Sequence, residues 1–118
     1  MKTKKKYVIS IDQSTQGTKA LLFDADGKIL ARRDRRHRQI VNNRGWISHN
    51  PEEIYANVIG VIRDVLTETK LDPAQVLTLG ISNQRETSLI WDRRTGRPLA
   101  DAVVWQCARA GQICEREE

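Results

Sequence analysis

The sequence predicts an α/β protein: a mixed sheet that opens with an antiparallel three-strand meander and carries packed helices. Three observations predict it. The chain begins with three short strand-like runs joined by tight turns. A capped helix with apolar residues at a period near 3.6 follows Asn50. After it comes "VLTLGI", residues 76–81, whose nearly continuous apolar character is that of a strand buried on both faces.

Taken in order, residues 7–11 and 20–23 are too β-branched and apolar to be surface loops. Asp26-Gly27 is a hairpin dipeptide, and residues 28–31 continue as a third strand. The basic run "RRDRRHR", residues 32–38, follows that strand. Asn42-Asn43-Arg44-Gly45 breaks the pattern, and Trp46-Ile47 resumes it briefly. Asn50 suits an N-cap, Pro51 the first helical position and Glu53 the carboxylate of a capping box. Ile54, Tyr55, Val58, Ile59, Ile62, Val65 and Leu66 then mark one helix face, and Leu71-Asp72-Pro73 ends it. Beyond the 76–81 strand come "SNQRETS", a further strand "LIWD", a turn over residues 94–98 and a short apolar strand over 102–105. From Ala108 the pattern is helical, giving the order β-β-β-α-β-β-β-α. The final "CEREE" carries no helix-terminating signal, which is expected of a piece of something longer.

Composition bounds the function. The 118 residues suffice for one domain with a modest core. With 39% apolar and 30% charged residues, the balance is globular rather than disordered. No apolar run is long enough for a membrane-spanning helix. The basic tail, residues 1–6, is not followed by an uninterrupted apolar leader segment, so a cytoplasmic location is expected. Cys107 and Cys114 have neither a zinc spacing nor a disulfide framework, and both are read as reduced and structural. The net charge of +5 raises nucleic acid as a partner, but aromatics are only 5% and none interleaves with the basic run. That run is read as solvated surface, with no nucleic-acid or membrane partner expected. His37 and His49 lie apart, with no carboxylate or cysteine at ligand spacing, so neither points to a metal.

Three stretches carry chemistry. In "DQSTQGTK", residues 12–19, Asp12 ends a buried strand, where a carboxylate needs a partner or a cation. Ser14, Thr15, Gln16, Gly17 and Thr18 offer hydroxyls and closely spaced N–H groups, and Gly17 permits positive φ. Such a turn can aim several donors at a phosphate, with Lys19 adding charge at its edge. The Walker A spacing is absent. The plainer alternative is a polar hairpin turn whose Asp12 is satisfied by its neighbours. In "NQRETS", residues 83–88, Arg85 and Glu86 can donate to and accept from neutral hydroxyl groups while neutralising each other. That suits a polyol, although surface ion pairs are common. In "AVVWQCARA", residues 102–110, Trp105 can form a flat wall against the carbons of a small polyol, or can simply be a core tryptophan.

Together these stretches resemble the FGGY family of carbohydrate kinases, and within it the members that phosphorylate glycerol. The resemblance runs through "IDQST" with "KALLFD", "GWISHNPEEI", "LGISNQRETSLIWDRRTGRPL" and "AVVWQCARA". It implies a ribonuclease H-like, actin-type fold in which ATP lies in a cleft between two such domains. Residues 7–118 are then the first part of the N-terminal domain, with the C-terminal domain absent. By matching position, Asp12 helps hold Mg²⁺ through water, and Thr15, Gln16 and Gly17 line the phosphate path. Lys19 stands where an arginine is usual, keeping the charge without the bidentate fork. Ser14 replaces a usual glycine, and Gln16-Gly17 replaces two hydroxyl residues. Arg85 and Glu86 match the pair that binds the substrate hydroxyls, and Trp105 matches the wall beside its carbons. The implied reaction moves the γ-phosphate of MgATP to glycerol, giving sn-glycerol 3-phosphate. The aspartate that accepts the hydroxyl proton is expected beyond residue 118, so no residue of this chain is assigned catalysis and the chain alone is expected to be inactive. The full-length form is expected to be a homo-oligomer. The alternatives are a kinase of another polyol or a pentulose, and a non-catalytic interaction module.

Overall fold

The computed structural model describes residues 6–84 and 86–104. Arg85, Trp105, Cys107, Cys114 and the helix expected from Ala108 lie outside the described residues.

The predicted meander forms. Strands β1 (Tyr7–Gln13), β2 (Gly17–Phe23) and β3 (Ile29–Arg36) pair antiparallel in sequence. The β2–β3 turn is held by Asp24, whose Oδ1 accepts from the N–H groups of Asp26 and Lys28, both at 2.9 Å. Gly27 supplies the positive φ of +83° that this turn requires.

The basic run does not follow β3 but forms most of it, and the reason is its position. In the sheet order β3-β2-β1-β6, where β6 is Val76–Ser82, β3 is an edge strand, and there charge on both faces is tolerated. Alternation sends Arg33 and Arg35 toward α1 (Pro51–Thr69), where they meet Glu68 at 3.1 Å and Asp64 at 3.0 Å. Arg32, Asp34 and Arg36 share a depression with Lys19 of β2.

Helix α1 starts as the sequence predicts in one respect and not in another. Asn50 caps it by accepting from the N–H of Glu52 at 3.0 Å. Glu53 does not close a capping box, because its carboxylate is taken by Arg38, from the backbone N–H at 2.6 Å and from Nε at 3.1 Å. The helix ends at Thr69, with Lys70 in the left-handed region at φ +56°. Its fully buried seam is Gly60, Val61 and Val65, packed on Ile9, Ile11, Ala20, Leu22 and Ala31. The broader apolar face read from the sequence is only partly used: Ile62 and Leu66 are half-buried, and Tyr55 is 70% exposed. Gly60 matters here because any Cβ on it would strike the Arg35 guanidinium on its way to Asp64.

A short 3₁₀ turn, Pro73–Gln75, leads into β6 (Val76–Ser82), which runs parallel to β1. The expectation that this strand is buried on both faces is corrected. Leu77 is 60% and Ile81 65% exposed. Helix α1 lies over β2 and β3, and no strand among the described residues flanks β6 on its far side.

A second sheet was not legible in the sequence. Strands β4 (Ile40–Val41), β5 (Ile47–His49) and β7 (Ala102–Val103) form it in the order β4-β5-β7. Asn42 builds the β4–β5 turn by accepting from the N–H groups of Arg44 and Trp46 at 3.0 Å. The expected "LIWD" strand reduces to isolated bridges, Ser88 to Val103 and Trp91 to Pro98. The turn expected at residues 94–98 forms around Asp92, whose carbonyl accepts from Gly96 at 2.8 Å.

Candidate functional site

Parallel pairing of β1 and β6 places their C-terminal ends side by side, with Asp12 opposite Ser82. Loops leaving parallel strands at that end are where sheets of this kind bind ligands. The turn after β1 and the loop after β6 therefore face each other. Asp12, Gln13, Ser14 and Thr15 from one side, and Ser82, Asn83, Gln84 and Glu86 from the other, line an open cleft of about 540 Å³. Two stretches singled out separately in the sequence thus form opposite walls of one cleft.

The turn is a tight two-residue connection closed by the Ser14 N–H on the Gly17 carbonyl at 2.9 Å. Its donors are arranged differently from the expected phosphate cradle. The N–H groups of Gln16 and Gly17 both lie 3.3 Å from the Ser14 hydroxyl oxygen, which accepts them. A serine at a turn competes locally for backbone donors, and here it takes two. Thr15 keeps its N–H and hydroxyl free of hydrogen bonds to other described residues and lines the cleft.

Gly17 also departs from expectation, since it opens β2 and is not among the residues of positive φ. Its lack of a side chain serves close approach instead: a Cβ would collide with the Arg35 carbonyl oxygen of β3.

Asp12 is exposed rather than buried, and it makes no ion pair among the described residues. It stands opposite Lys19 in the β1–β2 ladder. Asp12, Ser14, Gln16, Gly17 and Lys19 line a second depression, shared with Arg32, Asp34 and Arg36 of β3. Asp12 and Ser14 belong to both depressions, so the wall carrying Glu86 and the basic patch at Lys19 meet at the end of β1. Glu86 is exposed, with a left-handed φ of +55° that turns the loop at the cleft rim.

The buried polar residue at the end of β1 is Gln13, not Asp12. Its Oε1 accepts from the Thr18 hydroxyl at 2.5 Å, and its Nε2 donates to the Ser14 carbonyl and to Gln84 Oε1, both at 3.2 Å. Gln84 Nε2 lies 2.9 Å from both Thr87 Oγ1 and His49 Nδ1. His49 Nε2 sits 2.6 Å from Gln39 Oε1, and Gln39 Nε2 donates to the Thr15 carbonyl at 2.8 Å. His37 Nε2 stands 3.2 Å from His49 Nδ1, so the two histidines that look unrelated in sequence are in contact. Burial first, then the neighbouring His37, lowers His49 to about 4, leaving it neutral. Burial also lowers His37.

Sequence reasoning missed this network. A signal existed: folding the chain about the Asn42–Gly45 turn with Ile40 opposite Ser48 sets Gln39 opposite His49.

Comparison with known proteins gives the family and the fold. The profile of the FGGY family of carbohydrate kinases, N-terminal domain, matches residues 7–118. The glycerol kinase of Alkaliphilus oremlandii is 44% identical over 111 residues, covering 94% of this chain and 22% of that protein. Glycerol kinase 1 of Thermotoga maritima is 45% identical over 109 residues, covering 92% of this chain and 22% of that protein. Among solved structures, Plasmodium falciparum glycerol kinase with ADP superposes with a TM-score of 0.83 at 34% identity, over 95% of this chain and 22% of that one. A xylulose kinase from Lactobacillus acidophilus, 24% identical with a TM-score of 0.83 over 94% of this chain and 22% of that one, shares the fold. This chain thus spans about a fifth of the length of the relatives it matches. The ribonuclease H-like, actin-type sheet expected from the sequence is borne out, and the chain belongs to the FGGY family of carbohydrate kinases.

Proposed function

We propose that these residues are the N-terminal portion of an ATP-dependent glycerol kinase, which transfers the γ-phosphate of ATP to glycerol and yields sn-glycerol 3-phosphate. The observation that carries this reading is the cleft with Asp12 and Thr15 on one wall and Glu86 on the other. Phosphoryl transfer rests on positioning donor and acceptor in line and on neutralising charge, and two facing walls of different chemistry serve that purpose.

Each residue has a role in this reading. Thr15 offers its N–H and hydroxyl, which bond no other described residue, to the terminal phosphate, with Gln16 and Gly17 lining its path, and Lys19 supplies charge from the adjoining depression. The capture of two turn donors by Ser14 leaves Thr15 and Lys19 with a larger share of phosphate binding. Glu86 accepts from substrate hydroxyls, with Arg85 beside it in sequence as donor and Trp105 as the apolar wall.

Mg²⁺ fits the turn on the chemistry of its donors. Asp12 is an exposed carboxylate without an ion pair among the described residues, which also hold no cluster of three metal-ligating side chains. Mg²⁺ keeps several waters and takes one or two carboxylates together with substrate phosphates, which needs no protein cage. When bound, the ion neutralises charge on the transferring phosphate. The proton acceptor is assigned to an aspartate outside these 118 residues, so Asp12 and Glu86 bind rather than catalyse, and the isolated chain turns over no glycerol.

The test is ADP release by the complete gene product with MgATP and glycerol, erythritol or xylulose. Glycerol-dependent release supports the reading. Release with erythritol or xylulose alone reassigns the substrate within the family, and release with none supports an interaction module.

A further inference from the structure

The hydrogen bonds between the two cleft walls have a direction, and it is fixed from both ends. The Thr15 carbonyl only accepts, so Gln39 donates to it through Nε2 and turns Oε1 toward His49. His49 then donates through Nε2–H, which leaves Nδ1 bare to accept from Gln84 Nε2. At the other end, the Ser14 carbonyl forces Gln13 to donate through Nε2, and that same nitrogen donates to Gln84 Oε1. One arrangement of protons therefore fits every link between the two carbonyls, with His37 Nε2 sharing the His49 Nδ1 acceptor and His37 Nδ1 buried without a partner among the described residues. It starts and finishes on adjacent carbonyls of the turn, Ser14 and Thr15, and passes through the loop after β6 at Gln84. His49 is fully buried and Gln13 nearly so, Gln84 is half-buried, and Gln39 is exposed.

We propose that His49 is a positioning residue: in its neutral Nε2–H form it locks the turn carrying Thr15 to the loop carrying Glu86, so that occupation of the phosphate wall and of the polyol wall are energetically coupled. The inference rests on the kinase reading for the identity of the two ligands, but not for the existence of the lock. His49 does not itself line the cleft and acts through Gln39 and through Gln84, which does. Doubly protonated His49 would turn an N–H against the Gln84 amide nitrogen, which already donates, and would break the lock at that point. The ionisable groups acting on it are His37 of the segment after β3, which lies 3.2 Å away, and Glu53 of α1. A hydrogen-bonded chain whose donor direction is fixed at both ends gives one geometry rather than several.

Two measurements on the complete gene product test this. In ¹⁵N-histidine-labelled protein, His49 shows a single Nε2–H tautomer at pH 7. Gln84→Ala shifts its Nδ1 resonance, and Gln39→Ala shifts its Nε2 resonance, each by several ppm. A tautomer mixture, or a His49 spectrum indifferent to both substitutions, overturns the lock whether or not the protein is a kinase. In calorimetric titrations with Mg²⁺ and a non-hydrolysable ATP analogue, glycerol tightens nucleotide binding in the native protein. Gln39→Ala, a change at an exposed side chain, brings that coupling factor to within twofold of unity, while the affinity for each ligand alone changes less than about threefold. His49→Gln, which can replace both hydrogen bonds, retains most of the factor. A native coupling factor of unity, or an undiminished factor in Gln39→Ala, overturns the inference. Failure of the native protein to bind either ligand sinks the kinase reading instead, and the NMR measurement alone then decides whether the lock exists.

Discussion

Asp12 and Lys19 face each other across the β1–β2 ladder, and both line the depression that the basic edge of β3 completes. A carboxylate and an ammonium so placed can share a metal-bound polyphosphate, one through the metal and the other through the oxygens. Lys19→Ala removes a charged hydrogen bond worth about 1.5–3 kcal/mol, so nucleotide affinity falls by about tenfold to a hundredfold. Lys19→Arg keeps the charge and adds a second donor, and affinity is retained. Calorimetric titration of the complete gene product with the ATP analogue reads both.

Gly17→Ala tests the close approach of β2 to β3. The new methyl collides with the Arg35 carbonyl oxygen, a backbone atom that cannot rotate away. The strands must separate locally, at a cost of about 1–3 kcal/mol, read as a lower urea midpoint. An unchanged midpoint shows that the edge strand yields freely.

His49 makes stability depend on pH in a stated direction. Its value falls from 6.5 to about 4 on folding, so the unfolded chain binds a proton that the fold refuses. Stability is therefore full above pH 6.5 and declines as pH drops toward 4. The total loss is on the order of 3 kcal/mol. His37, lowered in the same way, adds to the decline. Urea midpoints across that range measure it, and His49→Gln flattens most of the slope.

Glu53 gives a second, more acidic window. The Arg38 backbone N–H, with smaller help from its guanidinium, holds this carboxyl below its usual 4.5. A carboxyl lowered on folding stabilises above the unfolded value and loses that contribution as pH falls through the folded one. Glu53→Ala is expected to cost about 1–2 kcal/mol at pH 7, because it leaves the loop after β3 untied from α1, whereas Arg33→Ala, which breaks an exposed pair, costs less than about 1 kcal/mol.

The sequence revealed what local chemistry decides. Apolar runs, the Asp26-Gly27 dipeptide and the Asn50-Pro51 helix start fixed β1, β2 and α1, because each depends on neighbours a few residues away. The extent of β3 was hidden because an edge strand tolerates arginines that read as a surface tail. Exposure of β6 was hidden because an apolar run does not say whether anything covers it. At the site, Asp12, Thr15 and Glu86 were legible one by one through their motifs, but not as facing walls of one cleft. The Ser14 hydroxyl's hold on two turn donors, and the Gln13–Gln84–His49–Gln39 chain, depend on contacts between residues up to 71 apart and were not.

The most direct test of the kinase reading is a structure of the complete gene product with Mg²⁺, a non-hydrolysable ATP analogue and glycerol. The terminal phosphate is expected within hydrogen-bond reach of Thr15 and Lys19, and a glycerol hydroxyl on Glu86, across the cleft from it. A terminal phosphate bound away from the Asp12–Lys19 turn, or glycerol bound elsewhere than at the 83–88 loop, contradicts it.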